Sequence, residues 1–256
     1  MVDSAWFTAY AFHILKTNIG LAGVVKYLFR FLQSMRVFIT AATVGEWMPS
    51  FSNINKLYTE KSSRFKIYFH QSGVGMMAST FSLTKLVMEE KPDLVLQVGM
   101  AGCFDNDMQL GRVVVADKEI EGNTGVEENG KWRDLFNLKL EKPNYHPYEK
   151  RILPNPHIDA LNLLKLKPVT GITVNEITTR KERIKQLAKK YEPVIESMEG
   201  AALHYVCRQT NTKFLQMRAI SNYIGERDKS KWLIKDALSN LNTTLLKYID
   251  KLYKVI

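Results

Sequence analysis

Cysteine is scarce in this chain of 256 residues: there are two, Cys103 and Cys207, far apart in sequence. They match no zinc or redox spacing, and a reducing, cytoplasmic setting fits them best. Histidine is nearly as sparse, with five residues and no HExxH or related cluster. No catalytic metal is therefore inferred, and the expected cofactor set is empty. Internal repeats and low-complexity linkers are missing too, which leaves one large domain or two small ones. Acidic residues are nearly absent from residues 1–34, which hold one Asp, no Glu and many aromatics, Trp6, Phe7, Tyr10, Phe12, Tyr27, Phe29 and Phe31 among them. Lys16, Lys26 and Arg30 interrupt this segment, so no run reaches the roughly 18 apolar residues of a membrane span. It also lacks a convincing cleavage site after an apolar core.

What is present is ordinary for a globular protein: 45% hydrophobic and 24% charged residues. The net charge of +10 comes from scattered lysines, as in the KERIKQLAKK run, which reads as a solvated helix face. No basic stripe interleaved with aromatics supports nucleic-acid binding, so an anionic small substrate is the other reading of the charge. Ser34-Met35-Arg36 leads into a clean strand, VFITAAT. Residues 1–34 are thus expected to be an extraneous or flexible extension and 35–256 the folded domain. The alternative for the extension is an amphipathic helix on a membrane surface.

From Met35 onward strands and helices alternate. Strands are expected at 36–42, 65–70, 94–98, 112–116 and 170–174, and helices at 76–89 and 180–190. The apolar face of the first helix is read as Met77, Phe81, Leu86 and Met88, and Lys91-Pro92-Asp93 as its stop. Asn129-Gly130 signals a hairpin. Residues 137–168 look loop-like, with a helix around 157–165. Ser230 is a candidate cap for a long final helix whose Leu238, Leu241, Leu245, Tyr248 and Leu252 repeat at three-to-four spacing. Such unbroken alternation implies one α/β domain.

The most informative stretch runs from Pro193 to Arg227. A short apolar run ends near two acids, Glu196 and Glu199. A helix with Ala202, Leu203, Val206 and Cys207 on one face follows. A second apolar run, Phe214 to Ile220, carries a single charge, Arg218, and stops at Ser221-Asn222. Glu199 and Asn222 are then placed at carboxyl ends of strands, where ligand sites form in α/β sheets. Taken singly, each is ordinary: an acid suits a helix's first turn and an Asn suits a turn. Glu46 and the glycines of Gly99–Gly102 fall at two further strand ends. VGMAG by itself is weak, being too short for a dinucleotide fingerprint and lacking a Walker lysine.

Taken together, the acid eleven residues past Met35, the SGVG turn, VGMAG, MEGAA and RAIS resemble the purine nucleoside phosphorylase and nucleosidase superfamily over Met35 to the end. AATVGEWMP, TGVEENGKWRDLF, GITVNE, ESMEGAA and RAISNYIGERD are most similar to its futalosine hydrolase branch. The resemblance implies a single α/β domain of three layers, with a mixed, bent central sheet flanked by helices. It implies a purine nucleoside substrate, no nucleic acid or membrane partner, and a homodimer. It also implies roles. Glu199 would bind the ribose hydroxyls and Met198 would pack on the sugar. Glu46 would hold and activate water. Ala101 and Gly102 would lie along the purine, and Asn222 would bind its N7/O6 edge. Met100, Val174, Asn175 and Ser221 fall among the substrate-binding positions.

Elementary chemistry agrees with these roles. Cleaving an N-glycosidic bond builds positive charge on the ribose, which a carboxylate in a dry site stabilises. Water needs a base to deprotonate it. Two departures narrow the expectation. The adenine-specific nucleosidases of the superfamily have Asp in place of Asn222 and Ser in place of Met100. Its phosphorylases bind phosphate through arginines near the start, where this chain has TVGEWMP. Hydrolysis is therefore expected over phosphorolysis. The competing readings are another purine nucleosidase, of the methylthioadenosine/adenosylhomocysteine or inosine type, and a non-catalytic nucleoside-binding protein on the same fold.

Overall fold

The computed structural model describes residues 34–59 and 65–255. The expectation for the N-terminal extension lies outside the described residues, Ser34 apart. Strand β1 covers Met35–Ala41 and helix α1 Met48–Ile54, followed by β2 (Phe65–Gln71), α2 (Met76–Glu90), β3 (Leu94–Cys103) and β4 (Val113–Glu121). A hairpin of β5 (Gly125–Glu128) and β6 (Lys131–Asp134) comes next, then β7 (Leu153–Pro154), α3 (Ile158–Leu161), β8 (Pro168–Thr173) and α4 (Lys181–Tyr191). The chain closes with β9 (Ile195–Ser197), α5 (Gly200–Gln209), β10 (Phe214–Tyr223) and α6 (Ile234–Val255).

The hairpin turn is the one its sequence demands. Asn129 and Gly130 both take positive φ, 50° and 69°, as a two-residue turn matched to strand twist requires. The main sheet is mixed. β2, β1, β3 and β10 run parallel side by side, and β10 then pairs antiparallel with β4. β4 pairs parallel with β8, β8 parallel with β9, and β9 returns antiparallel to β3. β3, β10, β4, β8 and β9 therefore close on themselves, and β1 and β2 extend from β3 as an open wing.

Side-chain alternation along the strands divides the core into two layers. Val37, Ile39, Leu94, Leu96, Leu215 and Met217 face α6, meeting Leu241, Leu245, Tyr248 and Leu252. Phe38, Val95 and Phe214, their neighbours in sequence, face the other way onto Leu83, Leu86 and Val87 of α2 and Leu203, Val206 and Cys207 of α5. Strands buried on both faces read as continuous apolar runs, the form parallel sheets take.

Four local expectations are corrected. The buried face of α2 is Ser79, Leu83, Leu86 and Val87; of the expected face, Met77, Phe81 and Met88 point outward and only Leu86 points in. Two apolar stripes exist on this helix, and the Leu/Val stripe fits the sheet. Ser230 does not cap the last helix: it sits in a short 3-10 turn capped by Asp228, and α6 starts at Ile234. The helix expected around 157–165 shortens to Ile158–Leu161, because Asn162 turns its amide onto the backbone of Leu166 instead of continuing. The strand expected at 94–98 runs on through VGMAG to Cys103 and stays paired to β10 over that length.

Leu245 is fully buried in the seam between sheet and α6. Leu245→Ala is expected to lower unfolding stability by about 2–5 kcal/mol, measured by urea denaturation. A loss under about 0.5 kcal/mol would mean that α6 is not part of the cooperative core.

Candidate functional site

The site residues meet where the parallel strands end. β1 stops at Ala41, and the chain turns through a short 3-10 turn, Val44–Glu46. Thr43 caps that turn, and its N–H donates to Glu46 Oε2 at 3.0 Å. Glu46 Oε1 accepts from the Met100 N–H of β3 at 3.2 Å. Asn242 of α6 donates to the Glu46 carbonyl at 3.0 Å, which ties the turn to the last helix. Two backbone donors thus hold the buried Glu46 carboxylate, one from the turn and one from the neighbouring strand.

Glu199 is the residue before α5 and is equally buried. Its Oε1 accepts from the Gly75 N–H at 3.1 Å. Gly75 takes φ of 87° at the entry to α2, a conformation L side chains rarely adopt, so a glycine is needed there. Glu199 Oε2 lies 3.6 Å from Arg218 Nη1.

Arg218 is the largest fully buried side chain among the described residues. It lies in β10, where it interrupts an otherwise apolar strand. Its Nη2 donates to Gln97 Oε1 at 2.8 Å and its Nη1 to the Met100 carbonyl at 3.4 Å. Gly99 makes room for the group. A Cβ there would collide with Arg218 Nη1 and come within 2.9 Å of Glu46 Oε1. Glu46 and Arg218 therefore crowd the same face of β3 at Gly99, and Nη1, the guanidinium nitrogen nearest Gly99, is also the one paired with Glu199. In the sequence this lone charge stands out without an assigned role; a charged residue inside a buried apolar strand is the signal that marks it.

Asn222 sits opposite Gly102 in the β3–β10 ladder, one residue past a register shift at Ile220. The sequence has the strand stop at Ser221-Asn222, whereas β10 runs on to Tyr223 and includes Asn222; such bulges re-aim side chains near sites. Asn222 Oδ1 accepts from Ser221 Oγ at 2.8 Å and Nδ2 donates to the Tyr223 carbonyl at 3.1 Å, which leaves the second amide hydrogen free. Ser221 Oγ also lies 3.3 Å from the Ala101 carbonyl. A Cβ on Gly102 would meet Ile224 and approach Asn222 Nδ2 within 3.5 Å, so the strand backbone is bare where Asn222 stands.

The Val174 N–H donates to the Ser197 carbonyl at 3.0 Å, which brings the end of β8 beside half-buried Met198. Asn175 is exposed and less central: its Oδ1 caps the Met76 N–H at the start of α2, next to Gly75. A cavity of about 240 Å³ opens beyond Val174, lined by Asn123, Trp132, Ile177 and Arg183; Glu46, Glu199 and Asn222 do not line it. No group of His, Cys, Asp and Glu suited to a metal occurs among the described residues. Cys103 and Cys207 are free, and burial pushes both thiols up. No described helix is long and apolar enough to cross a membrane.

The arrangement offers two fixed carboxylates around one buried cation, with a bare strand and an amide leading away from them. The carboxylates can accept protons or hydroxyls, and the amide can read the edge of a flat ring.

A family profile described as phosphorylase superfamily matches residues 41–254. The chain is 28% identical to a futalosine hydrolase of Thermus thermophilus over 67% of its own length and 76% of the relative's. It is 23% identical to a 5'-methylthioadenosine/S-adenosylhomocysteine nucleosidase of Pseudoalteromonas translucida over 77% of this chain and 85% of that one. The native structure of futalosine hydrolase of Helicobacter pylori superposes with a TM-score of 0.69 at 18% identity, covering 85% of this chain and 98% of the other, so the two share a fold.

Gly99→Ala is expected to force Arg218 and Glu46 apart and to lower stability by about 1–3 kcal/mol, the usual cost of overpacking. Chemical denaturation measures it. Wild-type stability in this variant would show that the guanidinium is not packed on Gly99.

Proposed function

Because the chain belongs to the phosphorylase superfamily, we propose that it is a hydrolase that cleaves the N-glycosidic bond of a 6-oxopurine nucleoside. The substrate we assign is futalosine, giving hypoxanthine and dehypoxanthine futalosine on the route to menaquinone. The observation that carries the choice of water over phosphate is Glu46. Its carboxylate lies across Gly99 from Arg218, and the Thr43–Pro49 turn contains no arginine. A phosphate there would meet a carboxylate and find the two terminal nitrogens of the guanidinium already engaged by Gln97, Met100 and Glu199. Like-charge contact of this kind disfavours an anionic nucleophile and leaves water.

In this reading Glu199 binds the ribose hydroxyls and offsets the positive charge that grows on the sugar as the bond breaks. Its link to Arg218 and the Gly75 N–H fixes its direction beforehand. Glu46 orients water and takes its proton. Its two backbone donors use only part of a carboxylate's acceptor capacity, so a lone pair remains for the water. Met198 packs on the sugar, and Met100, Ala101, Gly102, Val174, Asn175 and Ser221 border the nucleoside.

Asn222 reads the base. Hypoxanthine presents two acceptors, N7 and O6, on one edge. The free amide hydrogen of Asn222 can be donated to either, and once N7 is protonated as the base departs Oδ1 can accept a hydrogen bond from N7–H. The sequence similarity to futalosine hydrolases supports the same choice. The enzyme acts as a cytoplasmic homodimer. Val74, Met77, Phe81 and Met88 form an exposed apolar face on and before α2, beside the Gly75 that holds Glu199, and this face supports an interface next to the site.

The deciding assay supplies futalosine, inosine and methylthioadenosine in phosphate-free buffer and identifies the sugar product. Free dehypoxanthine futalosine is expected, with kcat/KM for futalosine above that for its 6-amino analogue by at least about tenfold, since a mismatched buried edge costs roughly 1–3 kcal/mol. Asn222→Asp should erode or invert that ratio. A sugar 1-phosphate whose formation rises with phosphate would establish a phosphorylase instead.

Glu46→Gln and Glu199→Gln are each expected to lower kcat by about 10² or more, with substrate still binding to Glu46→Gln. Steady-state kinetics and direct binding measure the two effects. Near wild-type turnover in both variants would move the site elsewhere.

A further inference from the structure

Glu119 of β4 is fully buried behind the site, and the reaction described above makes no use of it. A Cβ on Gly171 of β8 or on Gly200 of α5 would collide with its Oε1, so the carboxyl is wedged between two bare backbones. Gly200 directly follows Glu199. Thr173 Oγ1 donates to Glu119 Oε2 at 2.8 Å and accepts from the Ala201 N–H at 2.7 Å, which ties the first turn of α5 to the same carboxyl. Gln216 Nε2 lies 2.9 Å from Glu119 Oε1.

That last bond exposes a conflict. With Gln216 turned this way, two buried acceptors have no donor: Gln216 Oε1 and His204 Nε2. The Gln216 amide and the His204 ring face each other. His204 Nδ1 lies 2.7 Å from the Leu153 carbonyl, so Nδ1 carries the proton and Nε2 must accept. A second proton on the ring is no remedy, because complete burial pushes His204 down to about 3. Turning the Gln216 amide over would let its Nε2 donate to His204 Nε2. Its oxygen would then face Glu119 Oε1, which is a bond only if that oxygen bears a proton. In that arrangement each of these groups has a partner: Glu119 O–H to Gln216, Gln216 N–H to His204, His204 N–H to Leu153, Thr173 O–H to Glu119 and Ala201 N–H to Thr173. Leaving two buried acceptors unmet is the costlier arrangement.

We propose that Glu119 is a neutral carboxylic acid in the folded protein, donating to Gln216, and that it is the positioning residue for Glu199 through Gly200 and the Thr173–Ala201 link. The charged and titratable groups facing it are few. Arg218 approaches from β10, and His204, with Arg208 behind it, from α5; β7 and β8 present Leu153 and Thr173. Burial pushes the Glu119 carboxyl up to about 7, against the pull of its hydrogen bonds and of Arg218. Keeping this acid neutral leaves the Arg218 charge to Glu199. Ionising it would put a second carboxylate against Gly200 and draw the guanidinium away. The kinetic consequence rests on the function proposed above; the protonation state does not.

The sign of the stability effect follows from linkage. The folded state holds this proton more tightly than the unfolded chain, whose carboxyl titrates near 4.3. Stability from this group is therefore complete below that value and is lost as pH rises through about 7. Glu119→Gln supplies the same donor and acceptor without a proton to lose. Thermal unfolding of wild type and Glu119→Gln from pH 5 to 8.5 is expected to give a wild type that loses stability across this window and a variant that does not, with the variant melting higher at pH 8. The alkaline limb of kcat should move up by at least about one pH unit in the variant, with KM little changed. An infrared carbonyl band of an un-ionised carboxylic acid should be present in wild type at pH 6 and missing from Glu119→Gln. Parallel stability curves, or a variant that fails to fold or melts well below wild type at pH 8, would overturn the neutral acid. An unmoved kcat profile beside an intact stability difference would overturn the positioning role. Failure of the functional reading shows separately, as a wild type that cleaves no purine nucleoside.

Discussion

Burial of the Arg218 guanidinium is the constraint on which the rest of the structure depends. Taking such a charge out of water costs several kcal/mol, and the fold accepts that cost only by surrounding it. Gln97 and the Met100 carbonyl of β3 each accept from one of its terminal nitrogens, and Glu199 supplies the counter-charge from the start of α5. Each requirement propagates. Glu199 can face Arg218 only if Gly75 turns its N–H toward it with a backbone angle suited to glycine. Arg218 can lie across β3 only if residue 99 has no side chain. With Gly99 bare, the Met100 N–H is free to hold Glu46 on the same strand. One buried cation thus sets the direction of Glu199, and the bare Gly99 it requires leaves room for Glu46 on the backbone N–H groups of Thr43 and Met100. Removing either partner of such a pair is far more disruptive than its small net contribution to stability suggests.

The topology explains why these groups meet. β1, β3 and β10 run parallel, so their carboxyl ends share one edge, and the closed portion of the sheet carries β8 and β9 to the same place. Residues from five strands or the turns after them converge there, and loops of modest length suffice. The wall behind the site is polar as well. Glu119, Thr173, Gln216 and His204 form a buried set on the side of the sheet facing α5, and its hydrogen-bond count closes when the acid is neutral. Partly satisfied buried networks are costly, whereas complete ones hold a unique arrangement. A network under Gly200 is well placed to keep Glu199 still during a reaction in which charge builds on the sugar.

Local chemistry of the chain was enough to determine much of this. The continuous apolar runs Val37-Phe38-Ile39 and Leu94-Val95-Leu96 marked strands, and Asn129-Gly130 marked its hairpin. Helical spacing marked the inward faces of α5 and α6, and the similarity of a few spaced motifs identified the superfamily and pointed to Glu46, Glu199 and Asn222. These signals are legible because periodicity and turn chemistry depend on neighbours a few residues apart. Only the tertiary structure decided which of the two apolar stripes of α2 faces the sheet, since Met77 and Phe81 are as apolar as Leu83 and Val87. It also decided that Gly99–Gly102 continue a strand, because that depends on Arg218 lying across them from residues more than a hundred positions away. The partners of Arg218 and the proton on Glu119 belong to the same class: each is set by desolvation and hydrogen bonding among groups far apart in sequence, which the order of residues does not display.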